Sequence, residues 1–148
     1  MTMNILGIDF EEWYHPELIK NHVKIDQRIP KVFKGIDTIL DLLNKHNVSA
    51  TFFVVGEILQ HSPELIDKII SNNHEIAFHT MHHDRIDSPN FLNNFDDELK
   101  EFQKLTNNKS KGFRAPTFSL NEKSSSIIKI LEKYNYIYDS SIMPAKTS

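Results

Sequence analysis

The stretch EIAFHTMHH, residues 75–83, joins a short apolar run to two histidines four residues apart, His79 and His83. The apolar run predicts a buried strand that leads directly into the histidines. On a single helical turn, side chains four residues apart have Cβ atoms roughly 5–6 Å apart, so both imidazoles can reach one metal ion. In α/β folds, catalytic and ligand-binding residues lie at the carboxyl ends of strands, and this pair is predicted to lie at such an end.

Apolar runs alternate with amphipathic segments along the rest of the chain. They predict four more strands, at residues 4–8, 50–55, 111–114 and 136–138. Helices are predicted from Val32 to a left-handed stop at Asn47, after an N-cap at Ser62, from Phe91, and around Ile127. The alternation predicts a parallel α/β sheet or barrel, in which polar clusters that follow the strands meet at one edge.

Composition predicts one domain and excludes several classes of partner and site. The chain has 148 residues, 39% of them hydrophobic, and its net charge of -3 gives no indication of a surface for nucleic acid, so no nucleic-acid partner is expected. It has no cysteine, so disulfides and thiolate metal sites are excluded. Residues 1–10 lack a signal-peptide pattern, and no apolar run approaches the ~20 residues of a membrane span. We therefore expect a cytoplasmic protein without membrane insertion; the oligomeric state stays open.

An acidic cluster follows the first predicted strand. In extended chain Asp9 and Glu11 share one face and Glu12 points away. Carboxylates at the end of a buried strand either bind a cation or share a proton, although acids that simply cap a solvated loop are the alternative. Trp13 and Tyr14 either line a substrate cleft or pack in the core, and the core is slightly favoured.

The remaining histidines are assigned no site. His82 alternates away from the pair, and we expect it to support the site or to be solvated. The others are predicted to be surface, cap or turn residues: His15, His22, His46, His61 and His74.

Four segments together resemble the polysaccharide deacetylase family of metal-dependent hydrolases. DFEEW at residues 9–13 resembles its first acidic motif, in the Asp-x-Glu-Asp-Trp form. HTMHH at residues 79–83 resembles its His-(Ser/Thr)-x-x-His motif, and RAP at residues 114–116 resembles its Arg-x-Pro motif. YDSS at residues 138–141 resembles the segment that follows. The order and spacing of all four segments fit.

The resemblance implies one divalent metal ion held by His79, His83 and a carboxylate. Glu11 is the first choice for that carboxylate, because it shares a face with Asp9, and Glu12 is the fallback. Nitrogen and oxygen donors suit zinc, our first choice, and also cobalt, nickel or iron.

The resemblance also implies that Asp9 is the general base and that Arg114 pairs with it through two contacts of its guanidinium. Asp139 either supports the site from outside or caps a strand end. Substrate contacts are predicted for Trp13, Pro116, Thr117 and Phe118.

Family members have a distorted (β/α) barrel, usually of seven strands, whereas five strands are predicted here. Residues 1–148 are therefore expected to be a single catalytic domain truncated at its carboxyl end. The family's later Leu-x-His motif has no counterpart after Ser141, which places the protonation of the leaving group in doubt.

The implied function is removal of acetyl groups from N-acetylated sugars of a polysaccharide or its precursor. The form of the first motif resembles members associated with cell-surface polysaccharide biosynthesis. An amidohydrolase of a small non-sugar amide is one alternative, and a catalytically silent metal- or sugar-binding fragment is another.

Overall fold

The computed structural model describes residues 5–143, in which five strands alternate with six α-helices. The strands are β1 Gly7–Phe10, β2 Thr51–Val54, β3 Glu75–Phe78, β4 Gly112–Phe113 and β5 Tyr138–Asp139. The helices are α1 Glu17–Lys20, α2 Val32–Lys45, α3 Gly56–His61, α4 Glu64–Ser71, α5 Phe95–Leu105 and α6 Ile127–Lys133. Among these described residues, no helix is both long enough and apolar enough to span a bilayer.

All five strands pair in parallel, in the order β1-β2-β3-β4-β5. Each strand lies beside the strand that follows it in sequence, so the carboxyl ends of all five reach the same edge of the sheet. Within residues 5–143, β1 and β5 are the outer strands and the sheet is not closed into a barrel. The predicted α/β architecture, an open part of a barrel with five strands, is confirmed.

The two faces of the sheet have different roles because successive side chains of a strand alternate. Phe52 and Phe78 point to the outer face and belong to the apolar core between the sheet and the helices. The ring centroids of Phe78 and of Phe102 in α5 lie 4.5 Å apart. Asp9 and Phe53 are paired neighbours on the inner face. This inner face borders a cavity of about 490 Å³. Polar side chains on the inner face therefore do not interrupt the apolar core.

The end of α2 follows the predicted chemistry, and the start of α4 departs from it. Asn47 has a φ of 51°, which confirms the predicted left-handed stop after α2, and Asn73, with a φ of 63°, follows α4 in the same conformation. The prediction that the Ser62 side chain caps α4 is wrong, because Pro63 is the residue before the helix and no side-chain cap is present. Helix α3 was not predicted, since its six residues are too few to show a helical period.

Three element boundaries also differ from the prediction. β1 extends to Phe10 and so includes Asp9, whereas Asn4 lies outside the described residues. β5 begins at Tyr138, two residues later than predicted. Phe91 lies in a separate 3-10 turn before α5. In β5 the pairing with β4 sets the boundary, and sequence patterns do not contain this information.

Candidate metal centre

Three side chains with metal-binding atoms converge at the carboxyl edge of the sheet. Glu11 follows β1, while His79 and His83 follow β3, and parallel pairing brings both segments to one edge. One carboxylate oxygen of Glu11 and one ring nitrogen of each histidine lie within 4.8 Å of one another. His79 is 1% exposed and His83 is 6% exposed. The structure therefore groups the three predicted ligands, whose role as ligands stays a prediction.

The backbone of residues 79–83 is a turn, so the prediction that both histidines share one helical turn is wrong. None of these residues is helical, and Thr80 and His83 have left-handed φ of 60° and 57°. Two carbonyl groups of the turn accept N–H hydrogen bonds from Gly56 and Glu57, at 3.0 and 2.9 Å. These contacts stabilise a conformation that costs L-residues roughly 1–2 kcal/mol each.

The orientation of His79 is fixed by a backbone group. Its Nδ1–H donates a hydrogen bond of 2.7 Å to the carbonyl oxygen of Arg114, which leaves Nε2 without the proton and able to bind a metal. Burial lowers the pKa of His79 to about 4, an effect only partly offset by the negative charge of Asp9. The imidazole is therefore neutral at neutral pH, as a metal ligand must be.

The polar atoms of Glu11 and His83 lie close together without satisfying each other's hydrogen-bonding capacity, as ligands of a cation would. Glu11 Oε2 and His83 Nε2 lie 2.6 Å apart, yet Glu11 Oε2 is buried without a hydrogen-bond partner in the described residues. His83 Nδ1 is also buried without such a partner there. Buried polar atoms are nearly always satisfied, so these atoms indicate a missing partner. A divalent cation bound by two imidazoles and one carboxylate would supply the partner of Glu11 Oε2, with His83 Nε2 beside it.

The fallback ligand, Glu12, has a different task. It is 2% exposed, and its carboxylate accepts hydrogen bonds from the backbone N–H groups of Lys31 at 2.8 Å and Val32 at 3.1 Å. A carboxylate at the start of a helix is stabilised by the free N–H groups and the helix dipole. Glu12 therefore anchors the beginning of α2 and does not belong to the donor group.

Asp9 and Arg114 form an ion pair, but through one contact and not the two that were predicted. Arg114 Nη1 donates to Asp9 Oδ1 at 2.6 Å, whereas Nη2 donates to the Ser140 hydroxyl at 2.9 Å. The guanidinium stacks on the Phe53 ring, 3.9 Å from its centroid. It also passes Gly7, where an added Cβ would lie 2.8 Å from Nη2. Packing on these neighbours turns the second N–H group away from Asp9.

The predicted substrate contacts divide into exposed and buried residues. Trp13 is 39% exposed, and its Nε1–H donates to the Ile29 carbonyl at 3.0 Å, so the expectation that it packs in the core is wrong. Thr117 and Phe118 are exposed, in left-handed conformation with φ of 52° each, whereas Pro116 is buried. Substrate binding by these residues stays a prediction, and burial makes it harder for Pro116.

Two histidines predicted as surface, cap or turn residues are buried. His74 Nδ1 accepts a long hydrogen bond of 3.3 Å from the Ala50 N–H. His15 is 2% exposed; its Nδ1 accepts the Glu12 N–H at 3.0 Å, and its Nε2–H donates to Glu57 at 2.7 Å. Only the position of His15, two residues after the acidic motif, could have indicated a role near the site.

The YDSS segment contacts both Arg114, through Ser140, and the residue that follows it. The Ser141 hydroxyl accepts the Ala115 N–H at 2.7 Å and donates to Asp139 at 2.7 Å. Asp139 also accepts the Ser141 N–H at 3.0 Å, so it caps the end of β5. The structure shows the strand-end cap for Asp139 and, through the Ser141 hydroxyl, a link to the loop that follows Arg114.

Burial of His79 predicts a pH-dependent stability of the metal-free protein. The pKa of His79 lies near its usual 6.5 in the unfolded chain and at about 4 in the folded one, so the unfolded chain binds the extra proton between these values. We expect the free energy of unfolding to fall as the pH drops through that window, by up to roughly 3 kcal/mol. Urea unfolding of EDTA-treated protein across the window measures this loss. His79→Asn should show a shallower loss, and an equally steep one would contradict the assignment.

Comparison with known proteins identifies relatives. Residues 32–138 match a family model described as Polysaccharide deacetylase. A chitooligosaccharide deacetylase of Bradyrhizobium sp. (strain ANU 289) is 49% identical over 45 residues, which are 30% of this chain and 20% of that protein. A peptidoglycan-N-acetylglucosamine deacetylase of Bacillus cereus is 42% identical over 45 residues, which are 30% of this chain and 21% of that protein. The matched residues thus span about a fifth of these curated relatives.

The fold has solved counterparts. A crystal structure of a candidate polysaccharide deacetylase from Mycobacterium smegmatis matches 94% of this chain and 50% of that chain, with a TM-score of 0.72 and 24% identity. Identity at this level shows a shared fold, and the chain spans about half of that structure. Since the family model matches most of its residues, the chain belongs to the polysaccharide deacetylase family.

Proposed function

We propose that this chain carries the metal-binding and base-bearing part of an enzyme that hydrolyses the acetamido group of N-acetylated sugars. The observation that carries the proposal is the grouping of Glu11, His79 and His83 at the sheet edge where Asp9 pairs with Arg114. The donor group offers a cation nitrogen and oxygen atoms, and the ion pair offers a fixed carboxylate. Together these groups can activate a water for attack on an amide carbonyl.

Each residue of the proposed site has a separate task. A divalent cation bound by Glu11, His79 and His83 would lower the pKa of a water toward ~7 and polarise the amide carbonyl. Asp9 would accept the proton of the attacking water. Its contact with Arg114 uses Oδ1, which leaves Oδ2 for that proton. Arg114 stabilises the ionised carboxylate and, held by Phe53 and Ser140, fixes its direction.

Zinc is our first choice for the cation. Two imidazoles and one carboxylate, with a further position open for water, are the ligands of many catalytic zinc sites. Cobalt, nickel and iron accept the same donors, so metal analysis of the purified protein decides between them.

We propose an N-acetylated amino sugar, within a polysaccharide or its precursor, as the substrate. The named relatives include deacetylases of chitooligosaccharides and of peptidoglycan N-acetylglucosamine. Trp13 follows β1 and Phe118 follows β4, so both lie toward the edge of the sheet that carries the donor group. Their side chains are 39% and 41% exposed and offer apolar faces on which a sugar ring can pack.

Acetate release tests the proposal. Zinc-loaded protein is expected to release acetate from N-acetylchitooligosaccharides, and EDTA-treated protein is expected to release none until zinc is returned. Turnover of small non-sugar amides alone would contradict the sugar substrate and indicate an amidohydrolase of a different specificity. Stoichiometric metal without turnover of any amide would contradict catalysis by this chain and leave a metal- or sugar-binding function.

A further inference from the structure

The carboxylate of Glu57 joins two segments that follow different strands. Glu57 lies in the first turn of α3, directly after β2. One of its carboxylate oxygens accepts a hydrogen bond from His15 Nε2–H at 2.7 Å, and the other accepts one from His82 Nδ1–H at 3.0 Å. These bonds hold the pKa of Glu57 well below its usual value, so the group is ionised at neutral pH. Glu57 thereby connects the segment after β1 to the turn after β3.

His15 lies between Glu57 and His83, a predicted metal ligand. Because its Nδ1 accepts the backbone N–H of Glu12, its remaining proton is on Nε2 and points to Glu57. The His15 ring is nearly parallel to the ring of His83, with an interplanar angle of 19° and centroids 6.1 Å apart. His15 therefore lies against one face of His83, and Glu57 fixes the orientation of His15.

The same helix end holds the backbone of the turn. Glu57 N–H donates to the Met81 carbonyl at 2.9 Å, and Gly56 N–H donates to the Thr80 carbonyl at 3.0 Å. A Cβ at position 56 would collide with the Met81 side chain, which shows how closely α3 approaches the turn. Because Thr80 adopts a φ of 60°, which β-branched residues rarely do, the turn depends on such contacts for its shape.

We propose that Glu57 is a positioning residue of the metal centre: its carboxylate holds His15 against His83 and holds the turn at His82, so that His83 faces the cation. The inference rests on the proposed function, since it takes His83 to be a ligand. Glu57 itself does not belong to the group of donor atoms. Removal of groups that orient metal ligands typically weakens metal binding by about 10–100-fold.

Cobalt(II) provides a readout that does not depend on catalysis. Titration of metal-free protein measures affinity, and the visible absorption of the bound ion reports on its ligand geometry. Glu57→Ala is expected to weaken cobalt binding by about 10-fold or more and to change the absorption spectrum. Glu57→Asp keeps the charge, but its shorter side chain cannot reach both histidines, so we expect it to weaken binding as well. Glu57→Gln keeps the length and can still accept the His15 N–H at its one amide oxygen, but its NH2 group faces His82, which can accept from it only with the ring proton on Nε2. We therefore expect this variant to bind cobalt more tightly than Glu57→Ala and less tightly than wild type.

Glu101→Ala is the matched control. Glu101 is an exposed glutamate of α5 that accepts a hydrogen bond of 2.7 Å from Gln60 of α3, so its removal takes away a carboxylate that contacts α3 without touching the turn. This variant is expected to bind cobalt like wild type. Thermal unfolding of each metal-free variant shows whether it is folded, and Glu57→Asp and Glu57→Gln maintain the comparison if Glu57→Ala does not fold.

Several results would overturn the inference. Glu57→Ala and Glu57→Asp proteins with wild-type affinity and spectrum would show that the carboxylate does not position His83. A Glu57→Gln protein as weak as Glu57→Ala would show that a hydrogen-bond acceptor facing His15 does not position His83. Wild-type protein that binds no cobalt would instead overturn the metal centre itself, and with it this inference, before any variant is compared.

Discussion

Replacing His79 with alanine is expected to abolish stoichiometric binding of a divalent metal, and replacing His83 is expected to do the same. Each change removes one of the three donor side chains that lie within 4.8 Å of one another. Two remaining donors hold a cation poorly, so the loss should exceed the about 10–100-fold that loss of a supporting group costs. Elemental analysis after dialysis against zinc and isothermal titration together measure content and affinity.

His46→Ala is a suitable control for these variants. His46 is an exposed histidine at the end of α2, far along the chain from the donor group, and its removal should leave one equivalent of metal bound. Folding can be verified in the metal-free state, where His79→Ala loses a buried ring and its hydrogen bond to Arg114. If a folded His79→Ala protein retained a full equivalent of zinc, the cation would be held elsewhere and the proposed centre would be wrong.

The sequence predicts the placement of the site better than its internal geometry. Asp9, His79 and Arg114 each lie at or directly after the end of an apolar run, and parallel strands bring such ends to one edge. That argument needs only the order of strands and helices, which apolar spacing predicts. It therefore places these side chains at one edge of the sheet before any contact is known.

The shape of the turn after β3 could not be predicted in this way. A spacing of four residues between His79 and His83 suits a helix, and local rules give no reason to expect left-handed φ at Thr80. The turn depends on N–H groups of α3, a helix that is itself too short to be recognised from its period. Contacts between segments that are distant in sequence determine both the turn and the short helix α3.

The environment of Arg114 also depends on contacts that sequence patterns do not predict. The resemblance of residues 114–116 to the Arg-x-Pro motif implies an ion pair with Asp9, which the structure contains at 2.6 Å. That only one guanidinium nitrogen contacts Asp9 follows from Phe53 in β2 and Ser140 after β5, which occupy the rest of the group. No sequence pattern assigns those two partners, because each belongs to a different part of the chain.

Replacing Asp9 with asparagine is expected to remove catalysis and leave the metal bound. The amide oxygen of asparagine can still accept the N–H of Arg114, so the packing of the guanidinium on Phe53 should persist. The amide cannot accept a proton from water at neutral pH, and loss of a general base typically costs about 10²–10⁴-fold in rate. Acetate release by the zinc-loaded variant, with metal content determined on the same sample, tests both parts.

Asp37→Asn provides the isosteric control, because Asp37 pairs with Lys68 between α2 and α4 and has no contact with the donor group. Its rate and metal content should match those of the unchanged protein. A fall in metal content of Asp9→Asn would mean that Asp9 is a ligand, and the roles assigned to Asp9 and Glu11 would then have to be reconsidered. Undiminished acetate release by Asp9→Asn would show that another group accepts the proton.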